Sequence, residues 1–378
     1  MAEQLLHAAS TAIGVLHSWQ SIRNVRRVLI YKLDHLGDVL LATPALRAIR
    51  RRFPEARIRI VVGEWSSAML ANNPNVDEVA VYNSRMFARF PYASHDGGDL
   101  RRAVAGFNPD LIIGLRDDWR TLRYPLAPGV RRVNRGRVHL QEWIQKKRGR
   151  VARGHEVDRI WRMLRPLEIE PEESNHLEYV VTDDERREAT ETMVQRGIVD
   201  GFAVIHAGTS VPLKEWDLDR FAQTARYIAR VYAMQIVLIG SPDEVDRSRE
   251  LMALISDLDP IDISGELNLR STAALLEHAG LYLGSDGGAM HLATAVGVST
   301  VGLFGPGSYH IFHPVGDHAT AISHLFPCSP CNMITWIRPR DTCMQASTVD
   351  EVLRETDRIL ARQSQADADL AMTPRRLR

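Results

Sequence analysis

A chain of 378 residues exceeds what one hydrophobic core ordinarily holds, so two domains of ordinary size are expected. Its 45% hydrophobic and 25% charged residues are those of a soluble globular protein, and it has no apolar run of about eighteen residues that could cross a membrane. The formal charge of zero divides unevenly, with 29 Lys/Arg against 17 Asp/Glu in residues 1–170 and 18 against 30 in residues 171–378; the basic residues lack the interleaved aromatics or motif of a nucleic-acid binder.

Residues 1–26 form an amphipathic helix candidate, read as a packing or oligomer-contact extension with peripheral membrane attachment as the alternative. Glu3 and the lack of a basic region or small-residue cleavage site argue against a signal peptide, so a cytoplasmic protein is expected. Arg27–Leu33 (RVLIYKL) reads as a buried strand, and a helix follows from Leu36–Val39 to about Phe53. Arg57–Gly63, Glu78–Asn83 and Asp110–Leu115 are further β-branched runs separated by helical patterns. After Ile169, Glu-Pro-Glu-Glu-Ser suits a linker, which gives domains of 27–170 and 171–364. The alternation restarts at Gly201 with FAVIH, then a helix near 217–231, QIVLIG, a helix from about 243, IDIS, a helix near 270–279, LYLGS and STVGLFG. Val349–Arg362 is helical by pattern, and 365–378 reads as a disordered tail. The fold class expected is α/β, as two doubly wound domains in tandem with ligands beyond the carboxyl ends of the strands and an inter-domain cleft.

Gly284–Pro306 (GSDGGAMHLATAVGVSTVGLFGP) carries the most chemistry. A strand stops at Ser285-Asp286-Gly287-Gly288 and a helix begins, a junction whose free N–H groups favour phosphate. Asp286 would repel a bare anion unless it faces a hydroxyl or amide, so a nucleotide is expected there. His291, in the following helix, could donate to a phosphate or pack. His206-Ala-Gly-Thr209 with Lys214 is a plausible diphosphate grip, since a flexible ammonium can follow charge building on a leaving phosphate. Glu244, after another strand, sits where a carboxylate commonly meets ribose hydroxyls, or is a solvated helix-start acid. Asp38 lies at the first strand-to-helix handover. There it is expected to be ionised at neutral pH, either as a weak general base for a sugar hydroxyl or as a helix cap. Cys328, Cys331 and Cys343 with His324 could close a tetrahedral zinc site, although three reduced thiols are the commoner explanation. None of the strand-end segments that carry this chemistry contains an Asp-x-Asp motif to hold a catalytic metal on a diphosphate.

Taken together, RVLIYKLDHLGDVLLATPALRAIRRRFP, HAGTSVPLKEW, IGSPDE and the Gly284–Pro306 segment resemble glycosyltransferase family 9, the ADP-heptose:lipopolysaccharide heptosyltransferases, over roughly residues 27–355. The resemblance implies a GT-B fold, two facing Rossmann-like domains with the acceptor on the first and the nucleotide sugar on the second. It implies an inverting, metal-independent transfer that needs no cofactor, with ADP-heptose or another nucleotide sugar as donor. It casts Asp38 as general base, Lys214 as the diphosphate's counter-charge, Asp286, Gly287, Gly288 and His291 with Thr209 around the phosphate and sugar, and Glu244 on the ribose. The acceptor would be an anionic glycolipid such as lipopolysaccharide inner core, consistent with the basic first half, and contact with the cytoplasmic face of the inner membrane would follow. The segments Arg85–Leu100 and Arg131–Gly154 are where acceptor specificity would lie. The chain departs from the family in carrying Gly287 where a serine or threonine is frequent, and in having no fourth cysteine. Transfer to a protein or small metabolite, a nucleotide-sugar epimerase, and a non-catalytic nucleotide-sugar-binding protein are the rival readings.

Overall fold

The computed structural model describes residues 24–84, 97–116, 121, 130–134, 154–324, 326 and 343–372. The expected helix within 1–23, Cys328, Cys331 and most of the two acceptor segments lie outside them. The chain divides into two compact units, Met1–Val180 and Val181–Arg378.

The first unit is a five-stranded parallel sheet of β1 (Arg27–Lys32), β2 (Arg57–Val62), β3 (Glu78–Val81), β4 (Leu111–Arg116) and β5 (Arg131–Asn134), in the order β3-β2-β1-β4-β5. After Arg27 every residue of β1 is buried, as a central parallel strand covered on both faces requires. The single helix expected from Leu36 to Phe53 is two: α1 (Leu36–Leu40) and α2 (Thr43–Arg52). Pro44 accounts for the break, because its ring fits a first helical turn and cannot continue a helix from upstream. Short α3 (Glu64–Ser67), α4 (Gly97–Val104) and α5 (Glu156–Leu164) complete the unit, with Leu29, Tyr31, Val61, Tyr82, Phe107 and Ile112 at its core.

The basic excess is partly consumed inside this unit. Arg47 and Arg51 on α2 meet Glu172, Arg50 meets Asp77 at 2.6 Å, and Arg52 meets Glu168 at 3.1 Å. Those contacts also move the unit boundary beyond residue 170. Glu172 is held by Arg47, and the Glu178 backbone N–H donates to Thr43 Oγ1 at 2.8 Å, so the proline-containing stretch expected to be a linker packs on α2.

The second unit opens with α6 (Asp183–Arg196) and carries six parallel strands: β6 (Ala203–His206), β7 (Ile236–Leu238), β8 (Ile261–Asp262), β9 (Leu281–Ser285), β10 (Thr300–Phe304) and β11 (Ala319–Ser323). Their order, β11-β10-β9-β6-β7-β8, reads from the other edge as the doubly wound order 3-2-1-4-5-6, whose direction reverses between β6 and β9. Helices α7 (Leu218–Tyr232), α8 (Val245–Leu254), α9 (Leu269–Leu276), α10 (Gly288–Ala295), short α11 (Tyr309–Phe312) and α12 (Val349–Met372) follow. Helix α12 continues past Ser364, where a disordered tail was expected. Residues 365–372 (QADADLAM) are mostly good helix formers, and the first proline comes only at 374. Trp216, Phe221, Ile228, Leu238, Leu283 and Leu303 form the core of this unit.

Candidate active site

At the carboxyl end of β1 the first unit gathers an unusual density of charge. Lys32 is fully buried, and its ammonium donates to Asp34 Oδ2 at 2.7 Å and reaches Glu156 Oε1, on α5, at 3.4 Å. Arg116, ending β4, lies 3.2 Å from Asp34 Oδ1, and Arg159 lies 3.5 Å from Glu156 Oε2. The backbone at Asp34 is pinned by Trp65, whose indole N–H donates to its carbonyl at 2.9 Å. Asp38 stands in the first turn of α1, only part-exposed, and its carboxyl is pushed up to about 7. Burial is the largest cause, the Asp34 charge adds to it, Lys32 opposes it, Glu156 adds and Arg116 opposes.

This corrects the expectation that a helix N-terminus keeps Asp38 ionised at neutral pH. One five-residue turn offers little dipole, whereas desolvation and a second carboxylate both favour the protonated form. The correction strengthens Asp38 chemically. A carboxylate that titrates near neutrality is a far better proton acceptor than one near 4.

In the second unit the sequence HAGTSVPLKEW leaves β6 as a loop fixed at both ends. Arg247 on α8 donates from Nε to the Ala207 carbonyl at 2.8 Å and from Nη2 to the Trp216 carbonyl at 2.5 Å. Trp216 is fully buried and donates its indole N–H to the Ser347 carbonyl at 3.0 Å. Within this frame Lys214 ends a single 3-10 turn, Pro212–Lys214, and its Nζ lies 2.6 Å from Asp286 Oδ2 and 3.4 Å from the Asp286 carbonyl. Asp286 follows β9, and its backbone N–H is taken by the Leu303 carbonyl of β10 at 2.9 Å. Gly307 makes room for the pair, because a Cβ there would overlap Asp286 Oδ2 and approach Lys214 Cε to 3.7 Å. The ammonium is therefore held at the ends of β6 and β9, where the strand order reverses.

The start of α10 at Gly288 has no side-chain cap, which leaves its first-turn N–H groups open to an anion. Gly287 has φ −175°, an extended conformation open to any residue, and a Cβ there would find only the Ser285 carbonyl at 3.7 Å. A serine or threonine would fit at this position. Thr209 keeps its hydroxyl on the Val211 N–H at 3.3 Å, and His291 is buried within α10.

Glu244 adjoins the same strand ends. Its Oε2 accepts from the Ser241 backbone at 2.7 Å and lies 3.1 Å from His206 Nε2, while His206 Nδ1 lies 3.1 Å from the Tyr282 hydroxyl. Burial opposes ionisation of Glu244, but the His206 contact and the Ser241 backbone outweigh it and hold the carboxyl at about 2. Sequence reasoning did not single out Lys32, Asp34, Glu156, Arg247, Tyr282 or Gly307. It quoted His206 within the loop without giving it a part.

Of the four residues considered for zinc, Cys328 and Cys331 lie outside the described residues. His324 Nε2 meets Glu351 Oε2 at 3.1 Å, and Cys343 is buried. Among the described residues no group of three His, Cys, Asp or Glu is placed to hold a metal, and no helix is long and apolar enough to cross a membrane.

Comparison with known proteins shows the family and the fold. Residues 100–338 match glycosyltransferase family 9 (heptosyltransferase). Lipopolysaccharide heptosyltransferase 3 of Escherichia coli K12 is 24% identical over 291 residues, covering 74% of this chain and 82% of that protein. A glycosyl transferase family 9 structure from Veillonella parvula superposes with a TM-score of 0.73 at 22% identity, covering 89% of this chain and 98% of the other. The E. coli heptosyltransferase WaaC, solved with ADP-2-deoxy-2-fluoro heptose, gives a TM-score of 0.60 at 19% identity, covering 88% and 99%. The fold common to these proteins is the GT-B type expected from the sequence, and each unit described above is one of its Rossmann-like halves.

Proposed function

Because the chain belongs to glycosyltransferase family 9, the heptosyltransferases, we propose that it transfers a heptose from ADP-heptose to an anionic glycan, the inner core of lipopolysaccharide, with inversion and without a catalytic metal. In this reaction the acceptor hydroxyl passes its proton to Asp38 while its oxygen bonds to the anomeric carbon. The bond from that carbon to the diphosphate breaks, and its electron pair leaves on ADP. Lys214 and the first turn of α10 meet the charge that develops on the departing phosphate, a task for which a fixed ammonium is suited.

The observation that carries the proposal is the Lys214 ammonium anchored at the switch point of the second sheet. Support for the donor comes from the relative solved with ADP-2-deoxy-2-fluoro heptose, and support for the acceptor from the relative named as a lipopolysaccharide heptosyltransferase. Basic residues of the first half, and any contact with the inner membrane's cytoplasmic face, would serve that acceptor.

Purified protein incubated with ADP-heptose and a chelator, with and without a Kdo-containing lipid A acceptor, tests this by mass spectrometry. Acceptor-dependent ADP together with a gain of one heptose is the expected result. ADP-heptose left intact in both arms would reject this donor and acceptor, and an isomerised nucleotide sugar would mark an epimerase.

A further inference from the structure

Three strands that bracket the switch point of the second sheet contribute to one chain of hydrogen bonds. Tyr282 comes from β9, His206 ends β6, and Glu244 follows β7. The distances are 3.1 Å from the Tyr282 hydroxyl to His206 Nδ1 and 3.1 Å from His206 Nε2 to Glu244 Oε2. The direction of the second bond follows from chemistry. Glu244 is ionised and can only accept, so Nε2 carries the proton; the Tyr282 hydroxyl, which can donate or accept, bonds Nδ1 on the other side of the ring. Burial, and then the nearby Glu244 charge, pushes the Tyr282 phenol well above its ordinary value, which keeps its proton in place.

Two glycines give up volume to seat this chain. A Cβ at Gly284 would come within 2.7 Å of the Tyr282 hydroxyl, and one at Gly208 within 2.6 Å of Glu244 Cδ. The chain is not sealed, because the side chains of His206 and Glu244 remain 13% and 14% exposed at the carboxyl ends of the strands. Glu244 Oε2 accepts from His206 and from the Ser241 backbone, and the Ser241 hydroxyl also bonds the carboxylate, so Oε1, which takes neither of the first two bonds, is the oxygen offered to a ligand hydroxyl.

We propose that Tyr282 and His206 are positioning residues for the nucleotide's ribose: they fix the rotation of the Glu244 carboxylate so that Oε1 faces the vicinal 2′ and 3′ hydroxyls. This rests on the reading of Glu244 as the ribose-binding carboxylate. A rigid acceptor spares the ligand the cost of ordering a free glutamate, so the gain appears as discrimination for the diol and not as general nucleotide affinity.

Titration calorimetry of the full chain with ADP and with 2′,3′-dideoxy-ADP tests it. The wild type is expected to favour ADP. Tyr282→Phe should weaken ADP by about 3- to 10-fold, as for one hydrogen bond, and dideoxy-ADP by less than about 2-fold. His206→Ala should show the same selective loss, and His206→Gln, which restores a donor to Glu244, should recover most of it. An equal loss for both nucleotides, or no loss in any variant, overturns the positioning role even if the wild type discriminates. A wild type that binds both nucleotides alike overturns the ribose reading of Glu244 itself. If Tyr282→Phe does not fold, the two His206 variants decide by the same criteria.

Discussion

The tasks proposed for Asp38 and Lys214 are opposite, and each makes its own prediction. With its carboxyl at about 7, Asp38 is half protonated near neutrality, and only the anion can accept a proton. The kcat/KM profile should therefore fall about tenfold per unit as pH drops below about 7. Asp34→Asn removes the largest charge contribution that raises Asp38, so this limb should move to lower pH. Lys32→Met removes a charge that lowers it and should move the limb to higher pH. Glu156 and Arg116 face the same carboxyl with opposite signs and must be left intact in the comparison. Asp38→Asn should cost on the order of 10²- to 10⁴-fold in turnover while ADP binding is preserved, and retained turnover would remove Asp38 from the mechanism. Lys214→Ala should lower kcat by about 10²- to 10³-fold, because the charge that builds on the leaving phosphate loses its partner. A change confined to KM in that variant would show that Lys214 only binds the ground state.

Among elements, α6 shows most clearly what holds a helix that has no apolar stripe. Only Ala189 and Met193 are buried; polar contacts supply the rest of its attachment, Glu185 on Arg270 of α9 at 2.6 Å and Arg186 on Glu277 at 2.7 Å, while the Thr182 capping box closes its N-terminus. Thr182→Ala is expected to cost about 1 kcal/mol in urea unfolding. The hydrogen bond from Arg270 is the main reason that the Glu185 carboxyl sits at about 2 instead of 4.5. Its stabilisation is complete above pH 4.5 and is lost as pH falls towards 2, so the stability gap between wild type and Glu185→Gln should close over that range. The same helix marks the limit of what periodicity reveals. The runs at Arg27, Leu111, Leu281 and Thr300 were legible because buried parallel strands are close to continuously apolar, and the run at Arg57 because its Ile58, Ile60, Val61 and Val62 are β-branched and buried. Helix α6 and strand β5, whose Arg131 and Arg132 are buried with their guanidiniums on the Pro166 and Thr121 carbonyls, carry no such pattern. The candidate site divides in the same way. Lys214, Asp286 and Glu244 sit beside strand ends and could be read locally. Glu156 reaches Lys32 across 124 residues and Tyr282 reaches His206 across 76, and only the fold brings them together.

For the whole molecule, the division of labour between the units can be tested by separation. Each has its own sheet and its own hydrophobic core, and the described contacts of Lys214, Asp286, His206, Glu244 and Tyr282 all lie within the second. The groups assigned to the nucleotide are thus residues of the second unit, whereas Asp38, the proposed proton acceptor, belongs to the first. Residues 181–372 produced alone should fold and bind ADP to within roughly 3-fold of the full chain, a difference of about 0.6 kcal/mol. They should release no ADP from ADP-heptose in the presence of acceptor. Calorimetry and the mass-spectrometric assay separate the possible failures. A folded second unit that does not bind ADP would place essential nucleotide contacts in the first unit, and acceptor-dependent transfer by the second unit alone would remove Asp38 and the buried carboxylate cluster around it from catalysis.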